Sequence, residues 1–234
     1  RQRAGGRRIG AIVMHPTSNF MGHYLISPLA ERGITCLGLN SRFAGNDTVL
    51  VIERVLQDLG AGVKFMRGTL GFDRVVVVGN SGGAALAAYY QAEAERFTAT
   101  TLVDGDPSGL AASDLPAADG IALCAGHEGR SHLLLRWIDP AVVDEHDALA
   151  TDASLDMYDP RHWRDGAGSP PRFSADFLAR FMAAQRARRD RIEARARARL
   201  AELRATPGAP RDETFVVHRT HADPRCLDLT LDAN

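Results

Sequence analysis

A serine between glycines is the clearest chemical signal in this sequence. Ser81 lies in Gly79-Asn80-Ser81-Gly82-Gly83, a G-x-S-x-G pattern that joins a β-branched run to an alanine-rich stretch. A sharp turn of this kind between a strand and a helix raises the serine hydroxyl above the end of the strand. Glycines at 79 and 83 let neighbouring backbone pass close to the turn. The pattern therefore predicts that Ser81 is a nucleophile.

Two backbone N–H groups are expected to stabilise the negative charge that forms on an attacked carbonyl. One is the N–H of Gly82, at the start of the helix after Ser81, where amides have no partner within the helix. The other is the N–H of Thr17, in the loop after the first predicted strand, because Pro16 has no N–H. One such donor is typically worth about 10²–10³ in rate. We interpret His15, at the start of this loop, as a residue that braces it.

The elements that position these groups alternate along the first 126 residues, from strand to helix and back. Such alternation is typical of an α/β fold with a mostly parallel sheet and helices on both faces. Strands are predicted at residues 8–14, 34–39, 74–78 and 121–125, the last in preference to 98–103. Helices are predicted from Ser27 to Gly33, from Asn46 or Asp47 to Met66, and over 83–96.

The pattern changes after residue 126. We expect a core domain at 1–126, a largely helical lid at 127–212 and the start of a return to the core at 213–234. Acids and prolines predict an irregular segment over 139–171, and 174–204 is predicted to be one long helix. A short strand is expected at 214–217.

The strand, the His15-Pro16-Thr17 loop, the Gly79–Gly83 turn and the elements around them resemble the α/β-hydrolase superfamily, in particular bacterial esterase-like serine hydrolases, over residues 8–126. This resemblance implies a nucleophilic Ser81, an acyl-enzyme intermediate and an inserted lid. It also implies an acid and a histidine after the nucleophile in chain order.

The candidates within this sequence are Asp139 or Asp144 for the acid and His218 or His221 for the base. No pair of strand-and-loop units after residue 126 is evident to carry an acid and a base. We therefore expect the last strands of the sheet, with an Asp and a His, to lie beyond Asn234, in preference to these candidates.

The predicted function is hydrolysis of a carboxylic ester or related acyl bond in a small-molecule substrate. Nucleophile, base and oxyanion donors are all protein groups, so neither a cofactor nor a metal is expected. The acidic stretch at 139–159 lacks the regular D-x-D-x-D-G loop of a calcium site. Two alternatives stay open: a non-catalytic ligand-binding or scaffold protein whose helix start holds an anion, and an acyltransferase or lyase on the same scaffold.

Composition limits the partners. Lys+Arg number 28 against 29 Asp+Glu, so no global positive field favours nucleic acid. No run of about 18 apolar residues predicts membrane insertion. Three cysteines without C-x-x-C spacing favour a reducing compartment, and we expect a cytoplasmic protein.

The arginine-rich stretch 180–204 is a candidate contact in a homodimer, although pairing with the preceding acidic stretch is the preferred interpretation.

Overall fold

Four parallel strands form the sheet of the chain's first unit, residues 1–129. They are β1 (Ile9–His15), β2 (Thr35–Asn40), β3 (Arg74–Asn80) and β4 (Gly120–Cys124). The structure, a computed structural model, describes residues 8–163, 171–210 and 213–230. The parallel sheet and the helices packed on it confirm the α/β class.

Helices cover both faces of this sheet. Helix α1 (Ile26–Glu31) lies on one face, whereas α2 (Ile52–Lys64), extended by a π-helical turn at Phe65–Thr69, and α3 (Gly82–Glu95) lie on the other. Side chains alternate along β1 because successive residues of a strand point to opposite faces. Ile12 and Met14 therefore join the core beneath α2 and α3, while Ala11 and Val13 join the core on the α1 side.

The order of the strands, β2-β1-β3-β4, changes direction at the middle of the sheet. The chain moves outward from β1 to β2 on one side and from β3 to β4 on the other. In open α/β sheets, ligands bind at the carboxyl ends of the strands where this direction reverses. Here that point lies between the ends of β1 and β3, where Met14 pairs with Gly79.

Two predicted boundaries in the first unit are wrong. Helix α2 begins at Ile52, with Val51 at its N-cap, rather than at Asn46 or Asp47. The side chain of Asn46 instead accepts the N–H of Thr48 at 3.1 Å, so it closes a local turn. Likewise, α1 has Leu25 rather than Ser27 at its N-cap.

The choice of the fourth strand is confirmed at Gly120–Cys124. Residues 98–103 contribute only an isolated bridge between Thr101 and Pro107. The reason is local: the carboxylate of Glu93 accepts the N–H groups of Thr98 and Ala99, at 2.6 and 2.8 Å. Those amides are therefore not available to a strand ladder.

The second unit, residues 130–234, contains two helices and a hairpin. These are α4 (Arg130–Trp137), the antiparallel pair β5 (Val142–Asp144) and β6 (Asp147–Thr151), and α5 (Ala175–Ala205). The long helix is confirmed. The hairpin corrects the prediction that 139–171 is irregular throughout, and residues 214–217 form no strand.

A buried arginine organises the second unit. Arg188 of α5 is fully buried and makes a two-bond contact with Glu145, each bond 2.9 Å long. Its guanidinium also donates to the carbonyl of Asp139 at 2.7 Å. This geometry confirms that the arginine-rich helix pairs with the preceding acidic stretch. Ala222, in the segment expected to return to the sheet, is buried with Phe177 in this unit's own core.

Among the described residues, no helix combines the length and the apolar character needed to cross a membrane.

Candidate active site

Ser81 occupies the turn between β3 and α3 in a backbone conformation that non-glycine residues rarely adopt. Its φ is +55° and its ψ is −122°. Such a conformation costs on the order of 1–3 kcal/mol and persists only where the surroundings enforce it. A hydrogen bond of 3.0 Å from the Ser81 N–H to the carbonyl of Cys124 holds the turn against the end of β4. The residue is exposed.

The hydroxyl of Ser81 does not cap its own helix. Ser81 is the N-cap residue of α3, a position at which a serine side chain usually accepts a backbone N–H of the first turn. Ser174 makes that bond at the start of α5, accepting the N–H of Phe177 at 3.1 Å. Ser81 makes no side-chain cap bond. The two serines therefore differ: the hydroxyl of Ser174 stabilises a helix end, whereas that of Ser81 makes no such bond.

Two glycines make this turn possible because other backbone lies where their side chains would be. A Cβ on Gly79 would lie 2.2 Å from the carbonyl oxygen of Gly83, and a Cβ on Gly83 would lie 2.3 Å from that of Met14. Real Cβ atoms do not approach backbone so closely. Gly82 is different, since its Cβ would meet a side chain, the Nε2 atom of His15, at 2.7 Å.

Gly82, which the sequence predicts to be an oxyanion donor, lies at the start of the helix that follows Ser81. Gly82 is the first residue of α3, so its N–H precedes the helical hydrogen-bond ladder. The N–H lies next to Ser81 at the positive end of the helix dipole. Charge that develops on an oxygen at this point is stabilised by both effects.

The second expected donor is engaged elsewhere. The N–H of Thr17 donates to Nδ1 of His15 at 3.1 Å, and the N–H of Ser18 donates to the same atom at 2.9 Å. His15 thus braces the loop after β1, as the sequence indicates, and its ring packs against Gly82. As the loop stands, the Thr17 N–H is directed at an imidazole nitrogen rather than offered to a substrate.

Residues after β2 hold the same loop in place. We call residues 16–25 the first loop. The side chain of Asn40 accepts the N–H of Phe20 at 2.7 Å and donates to Asn19 at 3.0 Å. The hydroxyl of Ser41 donates to the carbonyl of Pro16. The first loop is therefore fixed at the carboxyl end of the sheet.

Two residues that the sequence analysis did not single out contact each other beside Ser81. The side-chain amide of Asn80 donates to the hydroxyl of Tyr24, with 3.1 Å between Nδ2 and Oη. The ring of Tyr24 lies 4.2 Å from that of His23, which lies 4.4 Å from Phe20. Asn80 was within the recognised motif, but its partner is 56 residues away and carries no local signal.

The described histidines of the first unit share one hydrogen-bonding arrangement. Nδ1 accepts a backbone N–H in each: from Thr17 and Ser18 in His15, from Leu25 in His23 and from Gly129 in His127. When neutral, each ring therefore carries its proton on Nε2. The base of a serine triad needs the opposite arrangement, with Nε2 unprotonated.

The acid and base candidates all lie in the second unit, where the structure gives each a separate environment. Asp139 is buried and contacts Arg219 at 2.6 Å, and exposed Asp144 accepts the N–H of His146 at 2.8 Å. The ring of His221 lies 4.9 Å from that of Trp137. His218 is partly buried, and its carbonyl accepts a bond from Arg188. Neither aspartate makes a hydrogen bond or ion pair with either of these two histidines.

Metal-binding and thiol side chains are the alternative reactive groups, and neither forms a site among the described residues. Within the part of the chain that the structure describes, His, Cys, Asp and Glu residues nowhere gather in a group of three that could hold a metal ion. Cys36 lies in β2, where burial raises the pKa of its thiol. A raised pKa keeps the thiol protonated and lowers its reactivity at neutral pH.

Comparison of the chain with protein-family models, curated proteins and solved structures finds no match in any of the three.

Proposed function

We propose that this chain is a serine hydrolase of the α/β-hydrolase type that cleaves a carboxylic ester or related acyl bond through Ser81. The observation that carries the proposal is the conformation of Ser81: exposed, at φ +55°, with its hydroxyl not used as a helix cap. The strand order supports it, because Ser81 follows β3 at the point where ligands bind in open α/β sheets.

The proposed chemistry begins with attack of Ser81 Oγ on the carbonyl carbon of the substrate. The new Oγ–C bond forms while the carbonyl π electrons move to the oxygen, and the Gly82 N–H stabilises that oxyanion. The intermediate then collapses: the C=O bond re-forms, the bond between the carbonyl carbon and the alcohol oxygen breaks, and the serine proton, taken up by a general base, passes to the leaving alcohol. In the second half of the reaction, water attacks the acyl-enzyme as the alcohol left it: the base takes a proton from water and returns it to Ser81 Oγ as the acid is released.

Asp139 or Asp144 and His218 or His221 stay the candidates within the described chain for the acid and the base, although no hydrogen bond or ion pair joins either aspartate to either histidine. The lid expected over residues 127–212 also belongs to it. A lid would exclude water and set the size of the acyl group that is accepted.

Hydrolysis of p-nitrophenyl esters of increasing chain length tests the proposal. The chain should release p-nitrophenolate, and Ser81→Ala should reduce the rate to background, since losing a triad serine costs on the order of 10⁶. Ser27→Ala is the matched control, because Ser27 is an exposed serine of α1 in the same unit. Unchanged turnover in Ser81→Ala would refute the proposal. Absence of turnover in the unaltered chain would favour the ligand-binding alternative.

A further inference from the structure

The geometry of the first loop leaves the proposed oxyanion site with one backbone donor. Gly82 supplies an N–H at the start of α3, but the N–H of Thr17 is donated to His15 Nδ1. Oxyanion sites in acyl transfer combine two or more donors, from backbone or from side chains. The neighbouring side chains are therefore the place to find the second donor.

Tyr24 has the properties of such a donor. The residue is 66% exposed, yet its side chain has a contact at each end: the ring packs on His23, and Oη accepts the hydrogen bond from Asn80. Asn80 directly precedes Ser81 in the chain, so this bond ties the phenol to the neighbour of the nucleophile. A tyrosine hydroxyl that accepts from an amide still has its own proton to donate. With Asn80 Nδ2 as the donor, the proton of Tyr24 points away from Asn80.

We propose that the hydroxyl of Tyr24 is the second oxyanion donor of this site, and that Asn80 is the residue that positions it. This inference rests on the proposed serine hydrolase function. When Ser81 Oγ adds to the carbonyl carbon, the oxygen that gains the electron pair accepts one hydrogen bond from Gly82 N–H and one from Tyr24 O–H. Tyr24 keeps its proton throughout, and the proton of Ser81 passes to the general base. The substrate class is a carbonyl compound whose oxygen becomes anionic on attack, such as an ester.

Tyr24→Phe tests the inference because it removes the hydroxyl and keeps the ring that packs on His23. We expect kcat for a p-nitrophenyl ester to fall about 10²–10³-fold, the usual effect of losing one oxyanion donor, with little change in KM. The rate of phosphonylation by a fluorophosphonate should fall as well, since charge develops on the phosphoryl oxygen in the same place. Tyr89→Phe, in α3 of the same unit, is the control and should keep the unaltered rates.

A second variant distinguishes loss of the hydrogen bond from the Tyr24 hydroxyl from displacement of the Tyr24 ring. In Asn80→Asp, the carboxylate accepts the proton of Tyr24 and turns it away from the substrate, while the ring can stay in place. Asn80→Asp should therefore be slow, and adding Tyr24→Phe to it should slow it little further. Independent, multiplying losses in the double variant would contradict the proposed role of Asn80.

The possible failures are distinguishable. If the unaltered chain neither turns over esters nor reacts with the fluorophosphonate, the proposed function fails. If the unaltered chain reacts and Tyr24→Phe reacts equally fast, with the same melting temperature, the function stands and Tyr24 is not the donor. A Tyr24→Phe variant that is slow only because KM rises would assign Tyr24 to substrate binding and overturn the oxyanion role.

Discussion

Replacing Gly82 with alanine tests the contact between the serine turn and the first loop. The new Cβ would lie 2.7 Å from Nε2 of His15, whereas ordinary contact begins near 3.4 Å, so the ring must retreat by about 0.7 Å (3.4 minus 2.7). The ring cannot retreat alone, because its Nδ1 holds the N–H groups of Thr17 and Ser18. We therefore expect the first loop to move with it.

Gly82→Ala should change the free energy of unfolding modestly but slow reaction at Ser81 strongly. Crowding of a packed site costs about 1–3 kcal/mol, and alanine gains about 0.5–1 kcal/mol over glycine in a helix. The net loss in the free energy of unfolding is then between about 0 and 2.5 kcal/mol. Displacement of a site by 1 Å can cost about 10²-fold in rate. A shift of this size should therefore slow reaction at Ser81 roughly 10- to 100-fold.

Fluorophosphonate labelling rates, measured beside urea unfolding, check both numbers. Gly68→Ala is the control, since no atom lies within 4 Å of its added Cβ, and it should label as fast as the unaltered chain and be no less stable. Gly83→Ala gives the contrast, because its Cβ meets the carbonyl of Met14 at 2.3 Å and backbone cannot yield as a ring can. That variant should lose the fold of the first unit. A Gly82→Ala chain that labels as fast as the unaltered chain would refute the reasoning.

Two further variants test stability. The pKa of Glu93 is lowered because, against the opposing effect of burial, hydrogen bonds from Thr98 and Ala99 favour the charged carboxylate. A carboxylate whose pKa is lower in the folded state stabilises the fold at pH values above its unfolded pKa. This stabilisation is lost as the pH falls through its folded pKa. Glu93→Gln should thus cost about 1–3 kcal/mol at pH 7 in urea unfolding followed by circular dichroism, and less below about pH 4. A pH-independent cost would contradict this sign. Arg188→Met removes the two-bond partner of buried Glu145 and leaves only the longer contact with Arg191, at 3.7 Å. Urea unfolding followed by tryptophan fluorescence should show a cost of about 3–5 kcal/mol, and adding Glu145→Leu should restore most of the loss. A single variant within about 1 kcal/mol of the unaltered chain would show that the pair is not needed.

The first unit was predictable from sequence because its signals are local. The β-branched run of β3 and the glycines after it are contiguous, and the burial of Val75 and Val77 follows from their types. The turn at Ser81 was predictable for the same reason. The start of α2 was not, because Asn46 can close a turn as readily as it can cap a helix.

The details of the site depend on contacts between distant segments. Nothing in the sequence near Thr17 shows that His15 takes its N–H, or that the partner of Asn80 is Tyr24. The hairpin β5–β6 was missed because its alternation involves alanines, which are equally typical of helices. Periodicity predicts elements, whereas the direction of a single hydrogen bond is decided by packing.

The most direct test is to find which residue a fluorophosphonate modifies. The chain is treated with the probe, digested, and its peptides are sequenced by mass spectrometry. We predict one adduct on the peptide that contains Ser81, and none in Ser81→Ala. An unmodified Ser81, or an adduct on another residue that persists in Ser81→Ala, would contradict the central claim that this turn presents a nucleophile.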